Sequence, residues 1–171
     1  LSGAAARTLP VSCAGKTFST TGWKIGWVDG PAALITAVLT VKQYLTYVNG
    51  SPFQPAVAVG LRMDDAYFTD AAAVLAHKHG ILGDGLRAAG FTVHAPQGGY
   101  FTVADATALG GQDAAAFCRA LPERVGVVAS ALTAVVSAEH RSEYPGLVRF
   151  AACKRVEVLE EAATRLARFS A

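Results

Sequence analysis

The sequence predicts an α/β fold in which strands and helices alternate. Three observations carry that reading. Short apolar runs rich in valine, isoleucine and aromatic residues recur along the chain. Longer segments repeat apolar residues at helical spacing. Glycine and proline clusters separate the two kinds of segment, so strand and helix follow each other rather than grouping apart. The 171 residues suit one ordinary domain or part of a larger one.

Arg7 to Ala14 reads as a short strand entering a turn at Gly15, and Trp23 to Val28 as a second strand between Gly22 and Gly30. Pro31 opens a helix to about Tyr44, with Ala33, Leu34, Ala37, Val38 and Val41 as its apolar stripe. "YVNGSPF" breaks it, and Ser51 before Pro52 starts another. A longer helix covers Asp70 to Ala89, with Val74, Leu75, Leu82, Leu86 and Ala89 on one face; Gly80, Gly83 and Gly85 mark a point of local weakness. After Gly90 come strands at Phe91 to His94 and Tyr100 to Ala104, split by "PQGG". A helix from Asp113 to Leu121 precedes strand material at Val125 to Ala129. Leu147 to Ala152 is a further strand, and Arg155 to Phe169 is the last helix. Its buried side comprises Leu159, Ala162, Ala163, Leu166 and Phe169, and Glu161 and Arg165 stand one turn apart as an ion pair.

Composition narrows the function classes. Hydrophobic residues make up 52% and charged residues 16%, which suits a large core or a surface that expects a partner. A net charge of +2 without any basic run gives no support for nucleic-acid binding. The longest strongly apolar uncharged run, Val125 to Ala138, is shorter than the roughly 20 residues a membrane span needs. Cys13, Cys118 and Cys153 are far apart and odd in number, which points to a reducing, cytoplasmic setting without a disulfide framework or zinc site. Cys118 and Cys153 read as small core residues. His77 and His79 are two apart on a helix and face different directions, so no metal site is expected. Met63 is the only methionine and the chain starts at Leu1, so an upstream segment is expected.

The chemistry concentrates in "SCAGKTFSTTGWKIGW", Ser12 to Trp27. "GKT" ends the phosphate loop of nucleotide-binding proteins, but that motif needs a glycine where Pro10 stands and a helix straight after the lysine. A covalent lysine is the other reading. Such a lysine is partly desolvated, so that its neutral amine attacks a carbonyl. A cofactor bearing both an aldehyde and a phosphate also needs a second cation, and pyridoxal phosphate is one. Lys16 suits the amine end; Ser12, Ser19 and Lys24 suit the phosphate end.

The same stretch closely resembles the cofactor-lysine signature of fold-type I pyridoxal-phosphate aminotransferases, the kynurenine and N-succinyldiaminopimelate aminotransferase group above all. "KQYLTYVNGSPFQPAVA", "PQGGYF" and "GLVRFAACKR" resemble further segments of that family in the same order, across nearly the whole chain. The resemblance implies the C-terminal part of the large cofactor-binding domain at residues 1–62 and the small α+β C-terminal domain at 63–171. It implies that Lys16 carries pyridoxal 5'-phosphate as a Schiff base and shuttles the substrate proton. Lys24 then binds the phosphate with Ser12 and Cys13 beside it, and Arg149 grips the substrate α-carboxylate. A guanidinium fork suits that task because it pairs both oxygens. Gly98, Gly99 and Tyr100 match a loop near the substrate. Amino acids and 2-oxo acids are the implied substrates, and a homodimer the implied full-length state.

Departures from the family pattern are equally specific. Cys13 stands where a serine usually donates to the phosphate, and a thiol is a poor donor. Val128 to Val136 replaces a proline-containing segment at the substrate entrance. The family's earlier half supplies the aspartate for the pyridine nitrogen and the aromatic that stacks on the ring. The alternative reading is therefore a catalytically inactive fragment or remnant that needs that half. Without the resemblance, Arg149 reads as a sheet-edge arginine in a surface ion pair.

Overall fold

The structure, a computed structural model, describes residues 3–169. The chain divides into two compact units, Leu1–Ala71 and Ala72–Ala171.

In the first unit a 3-10 turn at Ala5–Arg7 leads into β1, Val11–Cys13, then α1, the single helical turn Ala14–Thr17. A second 3-10 turn, Thr21–Trp23, precedes β2, Gly26–Val28. The two strands pair antiparallel, with Ser12 opposite Trp27 and Cys13 opposite Gly26. Both expected strands are therefore shorter than the sequence suggests. Lys24 explains the second: at φ 55° and ψ 41° it is left-handed and cannot continue a pleated strand. The Asn49 amide donates to the Lys24 carbonyl at 2.9 Å and holds that conformation. Trp23 and Trp27 both pack against the small core of Ala14, Ile25 and Val57, but not from one strand face. Trp23 lies in the 3-10 turn and stacks on Phe53, with ring centroids 4.8 Å apart.

α2, Ala32–Leu45, follows Pro31, and a 3-10 turn at Ser51–Phe53 runs into α3, Gln54–Gly60. The expected apolar stripe of α2 is not buried within the chain: no residue of α2 is buried. Tyr44 and Tyr47 are 83% and 79% exposed, and Leu39, Val41 and Leu45 are exposed with them.

α4, Asp65–Ala88, begins earlier than expected, because the Asp64 carboxylate accepts the Ala66 N–H at 3.1 Å and caps it. In the second unit an antiparallel sheet has the order β3-β4-β6-β5. Its strands are β3, Thr92–His94; β4, Phe101–Asp105; β5, Ser130–Ala131; and β6, Leu147–Ala151. α5, Ala114–Val125, starts at an Asp113 cap that accepts two backbone N–H groups at 2.9 and 3.0 Å. The strand expected over Val125 to Ala129 does not form. Pro122 falls in the last turn of α5, where its missing N–H removes a single bond, and left-handed Gly126 closes the helix by donating to the Pro122 carbonyl. α6, Val156–Ala167, completes the unit.

α4 passes Gly80, Gly83 and Gly85 without a break. A Cβ on Gly85 would lie 2.8 Å from the Ala163 Cα, so this glycine lets α4 and α6 approach closely. One face of the sheet, with Thr102, Ala104, Val148 and Phe150, is buried. Leu82, Leu86, Phe91, Phe117 and Leu166 complete that core, and Phe91 meets Phe117 and Phe150 edge to face. Full burial of a side chain such as Leu86 or Leu166 contributes roughly 1.5–3 kcal/mol. Cys118 packs against this core, and burial pushes its thiol pKa up. Cys153, expected inside, is exposed just beyond β6, where the chain has left the sheet. No helix among the described residues is long and apolar enough to cross a membrane.

Candidate functional site

Lys16 sits in α1, whose backbone is held from several sides. The Thr20 and Thr21 hydroxyls fold back to donate to the carbonyls of Ala14 and Gly15 at 3.3 and 3.1 Å. Phe18, just after α1, stacks on Tyr67, and the Tyr67 hydroxyl donates to the Thr17 carbonyl at 3.3 Å. Gly15 permits the tight return, since a Cβ there would stand 3.2 Å from the Thr21 Cα. The backbone is thus well fixed, whereas the Lys16 side chain is exposed; the expected desolvation of its amine is not provided by these residues. α1 has four residues and ends at Phe18, so no long helix points its amides at a phosphate beyond Lys16. That geometry removes the nucleotide-loop reading.

Ser12 and Cys13 lie on extended β1, where alternation sends their side chains to opposite faces; both are exposed. Lys24 is exposed on the adjoining segment. The two segments are stitched together by the sheet register and by the Ala14 N–H, which donates to the Ile25 carbonyl at 2.9 Å. Gly26 is required at the crossing, as a Cβ would come within 2.7 Å of the Ser12 carbonyl oxygen. A lysine amine, a second ammonium and a hydroxyl are therefore carried on neighbouring turns, and this donor set fits an aldehyde that bears a phosphate. The two threonines, Tyr67 and Asn49 escaped sequence reasoning as supports of this turn. Their only sequence signal is hydroxyl and amide side chains beside glycines.

Arg149 belongs to the second unit. It lies on β6, an interior strand, with Val103 of β4 opposite on one side and Ser130 of β5 on the other. Val148 and Phe150 turn into the core, so Arg149 projects from the other sheet face. Its guanidinium carbon lies 4.1 Å from the centroid of the Phe101 ring. Its Nε is buried and has no hydrogen-bond partner in the described chain. The sheet-edge ion-pair reading fails on both counts: the strand is interior, and among the described residues no carboxylate pairs with this arginine. A buried, unsatisfied N–H on a charged group costs roughly 1–3 kcal/mol, which a bound carboxylate would offset.

Gly98, Gly99 and Tyr100 form the connection into β4, with Gly99 left-handed at φ 77°. His77 is exposed and His79 partly buried, and the described residues contain no cluster of three groups able to hold a metal ion. A half-open groove of about 530 Å³ lies beside α6, bordered by Leu82, Val127, Phe150, Leu159, Lys154 and Arg165. It contains none of the predicted site residues, and Phe150 faces away from Arg149 on β6.

Residues 3–166 match the family described as aminotransferase class I and II. The probable N-succinyldiaminopimelate aminotransferase DapC of Mycobacterium tuberculosis is 45% identical over 170 residues, covering 96% of this chain and 43% of that protein. Kynurenine–oxoglutarate transaminase 3 of Rattus norvegicus is 34% identical, covering 91% of this chain and 38% of that protein. Among solved structures, the N-succinyldiaminopimelate aminotransferase of Mycobacterium tuberculosis superposes with a TM-score of 0.92 at 46% identity, over 99% of this chain and 44% of that one. The Escherichia coli protein YbdL, described with a methionine aminotransferase function, gives 0.86 at 30% identity, over 96% and 43%. The chain thus spans less than half the length of the proteins it matches.

Proposed function

This chain belongs to the class I and II aminotransferase family, and on that premise we propose that it is the C-terminal portion of an enzyme that moves an amino group between an amino acid and a 2-oxo acid. Members of the family use pyridoxal phosphate. When bound, that cofactor supplies a reactive aldehyde carbon and a ring that withdraws electrons from the substrate α-carbon.

The roles of this chain's residues follow from their chemistry. Lys16 Nζ would hold the cofactor through its aldehyde carbon, and the same amine would take the substrate α-proton and return it. Lys24 neutralises the phosphate; Ser12 and Cys13 face opposite ways on β1, so only one of them donates to it, and Cys13 is the weaker donor. Arg149 pairs both oxygens of the substrate carboxylate and so fixes the α-carbon in place. In this reading residues 1–62 belong to the cofactor domain, residues 63–171 form the small domain, and the full-length protein is a cytoplasmic homodimer. The relatives' names span N-succinyldiaminopimelate, kynurenine and methionine, so the substrate class is drawn no more finely than amino acid and 2-oxo acid.

The single observation that carries the proposal is Arg149: a guanidinium on an interior strand, braced by an aromatic ring, with a buried Nε that nothing in the described chain satisfies. A second reading, that the 171 residues keep the fold but have no activity alone, is favoured by the exposure of Lys16 and of the apolar side chains of α2.

The test joins this chain to its upstream coding sequence, adds pyridoxal phosphate and reduces with borohydride. The expected result is a pyridoxyl label on Lys16, lost in Lys16→Ala, with transamination lost in parallel. Label recovered on another lysine overturns the assignment.

A further inference from the structure

His79 stands at a core-facing position of α4, four residues after Leu75 and three before Leu82, where the helical stripe calls for an apolar side chain. Its ring nitrogens are both engaged. Nε2 lies 2.8 Å from the Gly99 carbonyl oxygen, and Nδ1 lies 2.8 Å from the Thr102 hydroxyl. A carbonyl oxygen only accepts, so Nε2 carries the hydrogen and Nδ1 accepts from Thr102. Thr102 is fully buried and has no solvent to turn to.

The two bonds grip both ends of the segment Gly99–Thr102, and Phe101 lies inside it. Alternation along β4 puts Thr102 on the buried face and Phe101 on the opposite face, where its ring carries the Arg149 guanidinium. The segment is held to β6 separately: Phe101 is opposite Ala151, and the Ala152 N–H donates to the Tyr100 carbonyl at 2.8 Å. Those ladder bonds fix strand register. They do not fix the pitch of the strand about its own axis, or the left-handed turn at Gly99 from which it starts.

We infer that His79 is a positioning residue for Arg149: from the buried face of the sheet it clamps Gly99 and Thr102, and thereby sets the Phe101 platform on which the guanidinium rests. The inference rests on the proposed carboxylate-binding role for its functional meaning, while its geometry stands apart from it.

The experiment compares the chain with His79→Gln, whose amide can both donate and accept, and with the double variant His79→Phe/Thr102→Val. The double variant replaces both buried side chains by apolar groups of similar shape, and the Gly99 carbonyl it releases belongs to an exposed residue that water can reach, so stability should change little. Dilute protein is treated with phenylglyoxal, and the labelling rate of Arg149 relative to Arg165 is read by peptide mass spectrometry. The ratio is expected to rise about fivefold in the double variant and to stay near the parent value in His79→Gln, because a loosened platform frees the guanidinium. In the full-length enzyme the double variant should raise KM for an amino acid by about fivefold with kcat within about twofold, and leave an amine lacking the carboxylate unaffected. An unchanged Arg149 ratio in the folded double variant overturns the clamp, as does a fall in kcat at constant KM. A parent enzyme that labels as expected but does not transaminate counts against the proposed function and leaves the clamp supported.

Discussion

The Arg149 guanidinium lies over the Phe101 ring at 4.1 Å, the two residues reaching each other diagonally across the β4–β6 pair. An aromatic face attracts the cation and orients its plane without occupying its N–H donors, which an acidic partner would do. The fork is therefore held and still open to a carboxylate.

The first prediction follows. Arg149→Ala in the full-length enzyme should cost on the order of 2–4 kcal/mol in kcat/KM for amino acids, and far less for amines without a carboxylate. Phe101→Leu keeps an apolar contact and loses the ring quadrupole, so its cost should be about 0.5–1 kcal/mol and confined to carboxylate substrates. Steady-state kinetics on an amino acid and its decarboxylated amine check both. Equal losses for the two substrates would assign Arg149 a structural role.

A second prediction separates two glycines of α4. A Cβ on Gly80 meets nothing within 4 Å, so Gly80→Ala should stabilise by about 0.5–1 kcal/mol through helix propensity. Gly85→Ala drives a methyl into Ala163 and should destabilise by roughly 1–3 kcal/mol despite the same propensity gain. Urea midpoints followed by circular dichroism should shift in opposite directions.

These glycines also show what was legible in the sequence and what was not. Periodicity located α4, α5 and α6 because their apolar stripes face a core within the chain. It could not say whether Gly80, Gly83 and Gly85 interrupt α4, since that depends on α6 approaching from far along the sequence. Lys24 reads as strand because its neighbours are aromatic and β-branched; its left-handed backbone is fixed by Asn49, a contact no local pattern announces. The strand expected at Val125 to Ala129 begins only at Ser130, because α5 runs past Leu121 to Val125 and left-handed Gly126 closes it. Lys16 and Arg149 stand out in the sequence only through motif resemblance. His79 carries no metal-site pattern in the sequence, and its partners are visible only where the fold brings Thr102 and Gly99 beside it.

A third prediction concerns pH. The hydroxyl and backbone N–H of Thr107 hold the Asp105 carboxyl below its ordinary value of 3.8, with the backbone bond at 2.8 Å. The folded pKa is depressed, so the unfolded chain takes up the proton first as pH falls. The stabilisation is therefore fully present above pH 3.8 and is lost as pH drops through the folded value. Asp105→Asn should be less stable than the parent at neutral pH, and the gap should close in that acid window. A gap that persists unchanged to the lowest pH would show that the carboxylate charge is not involved.

The last prediction is that residues 1–171 alone will not transaminate. The chain spans 43% of the length of its Mycobacterium tuberculosis relative, and in the proposed reading the remainder of the enzyme completes the cofactor's surroundings. Lys16 is exposed here, so these residues do not enclose a cofactor around it. Ser12, Cys13 and Lys24 are exposed as well, so a phosphate at this site would compete with water for every donor. α2 fully buries no residue and presents Leu39, Val41, Tyr44 and Leu45 to solvent, an apolar surface of the kind that drives association. The isolated chain should accordingly bind an apolar dye strongly and self-associate as its concentration rises. It should form only weak, non-stoichiometric adducts with pyridoxal phosphate. Sedimentation, dye fluorescence and absorbance titration read these outcomes, and common amino acids with 2-oxoglutarate provide the activity assay. Activity recovered on co-expression with an aminotransferase N-terminal half would locate the deficit in the absent contacts. Stoichiometric binding with turnover by the 171 residues alone would refute the prediction and show that the exposed Lys16 is reactive without further burial.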